Sequence, residues 1–296
     1  MTSKFHRAYV EITNICGLAC SFCPPKESPT QTMELLFFKQ VLKELKPYTD
    51  EVALHVMGDP MVLSNLGEYL DCAHVSGFKV MITTSGFYLD EQRRFALFHP
   101  SIRQVNISLN SFNKNSVARS FETYMEPILA LCDEKLSRKG DFFINLRLWN
   151  LDEVHSESHF NGQLFALLEE RFSLESGMIA SNISGERQSI RLASKILLHF
   201  DRYFEWPSLK NEVVGDGYCH GLSKQIAILA DGRVVPCCLD GEGIMTLGNL
   251  HVTNLGKILS TKRSCDMMDG FSHGKCSEEL CQKCSYKERF KKEVLP

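Results

Sequence analysis

From residue 7 to about residue 200 the chain alternates short runs rich in β-branched and aromatic residues with amphipathic stretches at helical spacing. Nothing else in the sequence narrows the fold as far. Such alternation is the signature of consecutive βα units, whose strands pair in parallel because each intervening helix returns the chain across the sheet. Six strands are predicted: AYVEIT (8–13), EVALHVM (51–57), KVMITT (79–84), QVNISL (104–109), FFINLRL (142–148) and SKILLHF (194–200). Between the first two, MELLFFKQVLKELKPY spaces Leu35, Phe38, Val41, Leu42 and Leu45 as one helical face, with lysines on the other. After the second strand, LSNLGEYLDCAHVSG reads as a helix ending at Gly77, a C-cap. With 296 residues the chain has room for one large barrel-type domain with an appendage, or for two ordinary domains.

The alternation stops near EWPSLKNEVVGDGY (205–218), where proline and glycine mark a linker and the expected domain boundary. Beyond it, KQIAILADGRVVPCC reads as two strands around a two-residue Asp231-Gly232 turn. The remainder is short elements studded with cysteine, too small to hold a core without a staple. Seven of the twelve cysteines follow residue 218. The first residues, MTSKFHRAYVEITN, lack both a signal peptide's apolar run and an Arg-rich presequence, and no window approaches eighteen apolar residues, so a cytoplasmic protein is expected. In a reducing compartment that many cysteines point to metal or redox chemistry rather than disulfides. A net charge of -3 gives no global pull toward nucleic acid or anionic membrane.

The first predicted strand runs directly into TNICGLACSFCPP (13–25), which places Cys16, Cys20 and Cys23 on one loop. Parallel βα folds put their chemistry at such strand ends. Structural zinc takes four protein ligands and a cubane cluster has four irons, so a triad either borrows a distant fourth cysteine or leaves one metal position open.

The stretch CGLACSFC, with Phe22 before the last cysteine, resembles the cluster-binding motif of the radical S-adenosylmethionine (radical SAM) enzymes. The resemblance implies a partial (β/α)6 TIM-like barrel, in keeping with the six predicted strands. It also implies a 4Fe-4S cluster on Cys16, Cys20 and Cys23 whose fourth iron is left for SAM. Further matches follow in chain order. VMGDP is similar to the family's Gly-Glu-Pro motif, with Asp59 in place of Glu, and implies SAM contacts at Gly58 and Asp59. TTSG (83–86) stands where relatives carry Thr-Asn-Gly, which brings in Ser85. Ser108 and Arg147 fall where the fourth and fifth strands contact SAM, Arg147 toward its carboxylate, since a planar guanidinium binds both oxygens. Phe22 is assigned a place beside the adenine.

The tail, Cys219, then Gly232-x4-Cys237, LGNL (247–250), and finally Cys281 and Cys284, resembles the SPASM extension in its shortened, twitch form. That implies one auxiliary 4Fe-4S cluster on Cys219, Cys237, Cys281 and Cys284, with Cys276 and Cys238 as competing ligands. A four-cysteine zinc ribbon suits the same pattern. The expectation is therefore an α/β chain with a radical SAM core over 1–210 and a small Cys-rich auxiliary-cluster domain over 211–296. It is expected to cleave SAM reductively to a 5′-deoxyadenosyl radical for hydrogen abstraction, drawing electrons from a donor such as flavodoxin or ferredoxin. The substrate is a small molecule or a peptide, the former favoured because the first strand begins near residue 7. A peptide- or protein-modifying maturase, or a zinc-stabilised binding protein without catalysis, are the alternatives. No catalytic side chain is assigned; His220 and Asp240 are the nearest candidates for proton acceptors, and HFDRYFEWP (199–207) is a candidate substrate-facing or packing segment. Cys72 and Cys132 are read as small core residues.

Overall fold

The computed structural model describes residues 5–150, 157–183 and 189–290. In chain order its main elements are β1 (Arg7–Val10), α1 (Leu35–Leu45), β2 (Glu51–Ala53), α2 (Leu66–Val75), β3 (Lys79–Thr84), α3 (Glu91–Ala96), β4 (Ile102–Ser108), α4 (Phe121–Ser137), β5 (Phe143–Leu148), α5 (Ser158–Arg171), α6 (Met178–Asn182), β6 (Ser189–Ala193), β7 (Ile196–Phe200), β8 (Gln225–Ile228), β9 (Arg233–Val235), β10 (Gly248–Asn249), α7 (Leu255–Leu259), α8 (Lys262–Ser272) and α9 (Glu279–Gln282). The described residues form two compact units: 5–17, 23–80 and 204–290 make the first, and 18–22 with 81–203 the second. The chain passes from one to the other within β3.

In the first unit the strand order is β10-β9-β8-β1-β2. β1 pairs in parallel with β2, Ala8 opposite Val52, and on its other side with β8, Val10 opposite Ile228. β9 and β10 then continue the sheet in antiparallel fashion. The helices cover it with the faces their spacing requires: α1 buries Phe37, Phe38, Val41, Leu42 and Leu45, and α2 buries Leu66, Tyr69, Leu70 and Ala73. α2 closes through Gly77, whose N–H reaches the carbonyl of His74 at 2.9 Å while Phe78 N–H reaches that of Ala73 at 2.9 Å.

In the second unit the order is β3-β4-β5-β7-β6. β4, β5 and β7 run parallel, and β6 forms an antiparallel hairpin with β7. Along β5 the side chains of Ile144, Leu146 and Leu148 are buried while Asn145 and Arg147 are half-exposed, the period-two pattern of a sheet covered on one face. Among the described residues no helix is long and apolar enough to cross a membrane.

All six predicted parallel strands are present, and the differences at their ends have physical causes. The first stops at Val10 because Thr13 bridges to Thr32 instead of continuing the ladder, and the second stops at Ala53, leaving Met57 N–H to bond the Glu11 carboxylate at 2.9 Å. The Asp231-Gly232 connection is wider than the two-residue turn predicted: residues 229–232 link β8 to β9, and Ala230 donates to Glu11 at 3.2 Å rather than to the hairpin. β6 lay unrecognised in a short segment. Cys132 is fully buried in α4 as expected, whereas Cys72 is only half-buried, since it stands beside rather than within the apolar stripe of α2.

Candidate functional site

In the first unit the segment leading into the cysteine loop is held by backbone and side-chain bonds on both sides. Asn14 organises the returning arm: its Oδ1 accepts from Gln31 N at 2.7 Å and Lys26 Nζ at 2.8 Å, and its Nδ2 donates to the Pro29 carbonyl at 2.8 Å. The arm is also fixed from the tail, where Glu242 accepts from the N–H groups of Glu27 and Ser28 at 3.2 and 2.9 Å. On the other side, Asp59 N–H donates to the Ile15 carbonyl at 3.0 Å. The backbones approach so closely here that a Cβ on Gly58 would stand 2.0 Å from the Thr13 carbonyl oxygen. Only glycine fits. Gly17, between the first two cysteines, takes φ +72°, again a glycine conformation. The Asp59 side chain is buried and turns inward, accepting from Met61 N–H at 3.0 Å to cap the Pro60–Val62 turn.

Glu11, 2% exposed, sits under this arrangement and accepts one N–H on each carboxylate oxygen, from Met57 and Ala230. Burial pushes its carboxyl up to about 7, against the pull of those two bonds and of Lys26. Of the unit's two cysteines from the triad, Cys16 is half-buried and Cys23 exposed.

Cys20 belongs to the second unit and is buried there; burial raises its thiol, and a hydrogen bond with Ser111 opposes the rise. Ser21 N–H donates to the Lys114 carbonyl at 2.7 Å, and the Phe22 ring lies 6.1 Å from that of Tyr203. Tyr203 in turn accepts from Asn110 Nδ2 at 3.1 Å, and Asn110 Oδ1 accepts from Trp149 N–H at 2.8 Å. Two of the predicted contacts stand in one row: Ser108 pairs with Arg147, and Arg147 pairs with His199 across β4, β5 and β7. The Arg147 guanidinium lies 5.2 Å from the Trp149 ring centroid, and Trp149 Nε1–H donates to His199 Nδ1 at 3.3 Å. An indole can only donate, so His199 is held with Nδ1 as acceptor. Burial first, then Arg147, lowers the His199 pKa, and this favours the neutral ring. One turn of pleat deeper, Asn106 accepts from Gln104 and Asn145 and donates to Thr83 Oγ1 at 3.1 Å, giving that face a polar lining. Ser85 is buried with its hydroxyl accepting from Phe87 N–H at 3.3 Å, so its side chain serves its own turn.

Sequence reasoning passed over Trp149, Asn110 and Asn106 and took in His199 only as the first residue of HFDRYFEWP. Period-two counting from Ser108 and Arg147 would have found the first three, since each lies at an even offset on its strand or just past its end, whereas His199 is brought in by cross-strand register with Arg147.

The tail gathers thiols. Cys219, Cys276, Cys281 and Cys284 are close enough that Cys281 is raised by burial and then by the other three, while Cys237 is raised by burial and then by Cys219, Cys238 and Cys281. Cys219 is pushed up to about 11, chiefly by burial. Cys281 Sγ lies 3.3 Å from Met245 Sδ. Cys238, which also acts on Cys237, packs with Tyr9 and Met57 against Val56, Ala227, Leu229 and Val235. Cys265 is exposed on α8. Among the described residues no three His, Cys, Asp or Glu side chains converge on a point suited to a single ion. Cys219, Cys237, Cys276, Cys281 and Cys284 thus stand near one another as thiols, the residue type that ligates zinc and iron–sulfur centres.

The two proton-acceptor candidates are otherwise engaged. The Asp240 carboxylate accepts from Ile244 and Met245 N–H at 2.8 and 2.7 Å, and the His220 ring packs 4.2 Å from Phe290. Phe204, Trp206 and Tyr286 form an aromatic group in the first unit, which accounts for the end of HFDRYFEWP as packing.

Comparison with known families and structures gives the following. The model of the Radical SAM superfamily matches residues 10–156, and that of SPASM, an iron-sulfur cluster-binding domain, matches residues 219–285. A search of curated proteins found no significant match. Among solved structures, BtrN in complex with AdoMet and 2-DOIA is similar at 15% identity, covering 96% of this chain and 94% of its own, with a TM-score of 0.62. Streptococcus suis SuiB bound to precursor peptide SuiA is similar at 13% identity, covering 97% and 73%, with a TM-score of 0.59. Native anSMEcpe with bound AdoMet and Cp18Cys peptide is similar at 13% identity, covering 95% and 86%, with a TM-score of 0.54.

Proposed function

Since the chain belongs to the radical SAM superfamily and carries a C-terminal SPASM domain, we propose that it abstracts hydrogen from a polar substrate, with Cys16, Cys20 and Cys23 holding the SAM-binding 4Fe-4S cluster. The observation that carries this reading is the backbone register at the first loop. Gly58 and Asp59 lie against Thr13 and Ile15, immediately before Cys16, which supports their backbone as the SAM contact. When bound, the cluster and SAM supply reductive cleavage to a 5′-deoxyadenosyl radical.

The chain's own residues then have distinct tasks. Phe22, Gly58, Asp59, Ser85, Ser108 and Arg147 are the proposed SAM contacts; Asp59 and Ser85 serve through their backbone, because their side chains are taken up by local turns. Arg147 offers a fork for a carboxylate. His199, whose neutral ring is favoured by burial and by Arg147 and whose Nδ1 accepts from Trp149, offers a hydrogen-bond donor on the same face. Cys219, Cys237, Cys281 and Cys284 are the proposed ligands of one auxiliary 4Fe-4S cluster, with Cys276 as the fifth thiol beside them. Cys238 is left out of the proposed set, its packing against an apolar cluster favouring Cys237 as the ligand of the adjacent pair. The zinc-ribbon alternative is set aside because the matching tail family binds iron-sulfur clusters.

We take 1–210 as the radical SAM core and 211–296 as the auxiliary-cluster region, in a cytoplasmic enzyme that receives electrons from a flavodoxin or ferredoxin. For the substrate, the polar lining around Asn106, Arg147 and His199 supports a small hydrophilic molecule; a peptide, as bound by SuiB, is the second candidate. Anaerobic reconstitution with iron and sulfide followed by assay of reductant-dependent conversion of SAM to 5′-deoxyadenosine tests the reading. Conversion is expected in the wild type and its loss in Cys20→Ala. A well-loaded protein that converts no SAM, or a Cys20→Ala variant as active as wild type, overturns it.

A further inference from the structure

Lys287 follows Cys284 in the Ser285–Arg289 turn and is 4% exposed. Its ammonium has three protons to place, and it places them on the loop that carries two of the proposed cluster ligands. It donates to the carbonyls of Cys281 at 2.8 Å, Cys284 at 2.9 Å and Gln282 at 3.4 Å. The side-chain stem is fixed by Gly217, where a Cβ would meet Lys287 Cδ at 2.9 Å. No carboxylate among the described residues is bonded to the ammonium; its partners are all carbonyl dipoles.

That is an expensive arrangement for a staple. A buried charge matched only by neutral dipoles keeps much of its desolvation cost, and an apolar residue would fill the same volume without it. The charge has a purpose if anions gather beside it. Two of the thiols lie within its field: Lys287 acts electrostatically on Cys276 and Cys284, opposing the rise that burial imposes on both, while the Asp216 carboxylate acts on Cys276 in the opposite sense. A cubane held by four thiolates is anionic and becomes more so on reduction, and net charge near a cluster is one determinant of its reduction potential.

We infer that Lys287 is the counter-charge of the auxiliary cluster, a positioning residue that shapes the Cys281–Cys284 loop through its carbonyls and raises the cluster's reduction potential. The inference rests on the proposed auxiliary cluster. One electron enters on reduction with no proton required, and a fixed cation nearby stabilises the state that carries the extra negative charge. Lys287 is thereby a second, non-cysteine determinant of the centre, one with no part in ligating it.

The test is a potentiometric titration, followed by electron paramagnetic resonance, on full-length protein carrying Cys16→Ala, Cys20→Ala and Cys23→Ala so that only the auxiliary centre remains. In this background Lys287→Met is expected to lower the midpoint potential at unchanged iron content, and Lys287→Arg to stay near the parent value. An unchanged or raised potential in Lys287→Met overturns the inference while leaving the auxiliary cluster in place. If Lys287→Met loses its iron, retention of iron in Lys287→Arg supports the counter-charge, and loss in both overturns it in favour of a shape requirement. A parent that holds zinc or no metal overturns the auxiliary-cluster reading itself, and the inference with it.

Discussion

Glu11 is a carboxylate buried just past the end of β1. Its position in AYVEIT continues the alternation that carries Arg7 and Tyr9, a pattern readable from the sequence. What the sequence does not reveal is that Met57 and Ala230, far apart in the chain, bring N–H groups to its two oxygens. Because its folded pKa is raised from 4.5 to about 7, chiefly by burial, the native chain holds a proton that the unfolded chain releases in that window. The Glu11 contribution to stability is therefore present at acid pH and lost as pH rises from about 4.5 to about 7. Glu11→Gln removes this dependence and, with one N–H left facing an amide donor, costs about 1–3 kcal/mol. Denaturant unfolding of the apo protein at pH 5 and pH 7.5 checks both points. The wild type's advantage over the variant is expected to be larger at pH 5.

At the scale of elements, the loop after β2 is tightly held against the segment that precedes Cys16. A methyl group at Gly58 would sit 2.0 Å from the Thr13 carbonyl oxygen, and both partners are backbone, so neither can rotate away. Gly58→Ala is expected to push the loop off the segment preceding Cys16. Iron retention should fall in that variant and apo stability drop by a few kcal/mol, about the scale of other steric changes in a packed interior; iron analysis and thermal unfolding measure the two. The glycine was legible as a motif member, while its cause was not, since the clash is with the backbone of Thr13, far earlier in the chain. The tail hairpin makes the same point. Alternation identified β8 and β9, yet nothing in KQIAILADGRVV says that β8 runs parallel to β1 and extends its sheet. That pairing is a long-range choice made by the burial of Ile226 and Ile228.

For the whole molecule the decisive quantity is iron. Two cubanes correspond to about eight irons per chain, and Cys281→Ala with Cys284→Ala is expected to leave about four. Iron and sulfide analysis of the reconstituted proteins decides this, and a parent with about four irons would remove the auxiliary centre. By itself the sequence determined the βα alternation, the triad on the first strand's exit and the Cys-rich tail, because periodicity and ligand spacing are local and survive in one dimension. The tertiary structure alone decided which thiols are neighbours, which one packs among apolar side chains, and where a buried lysine comes to rest. Cys237 and Cys238 are adjacent in the chain, yet Cys237 is within the field of Cys219 and Cys281 while Cys238 packs against an apolar cluster. Such distinctions arise from burial and side-chain direction, which depend on residues distant in sequence and packed close in space.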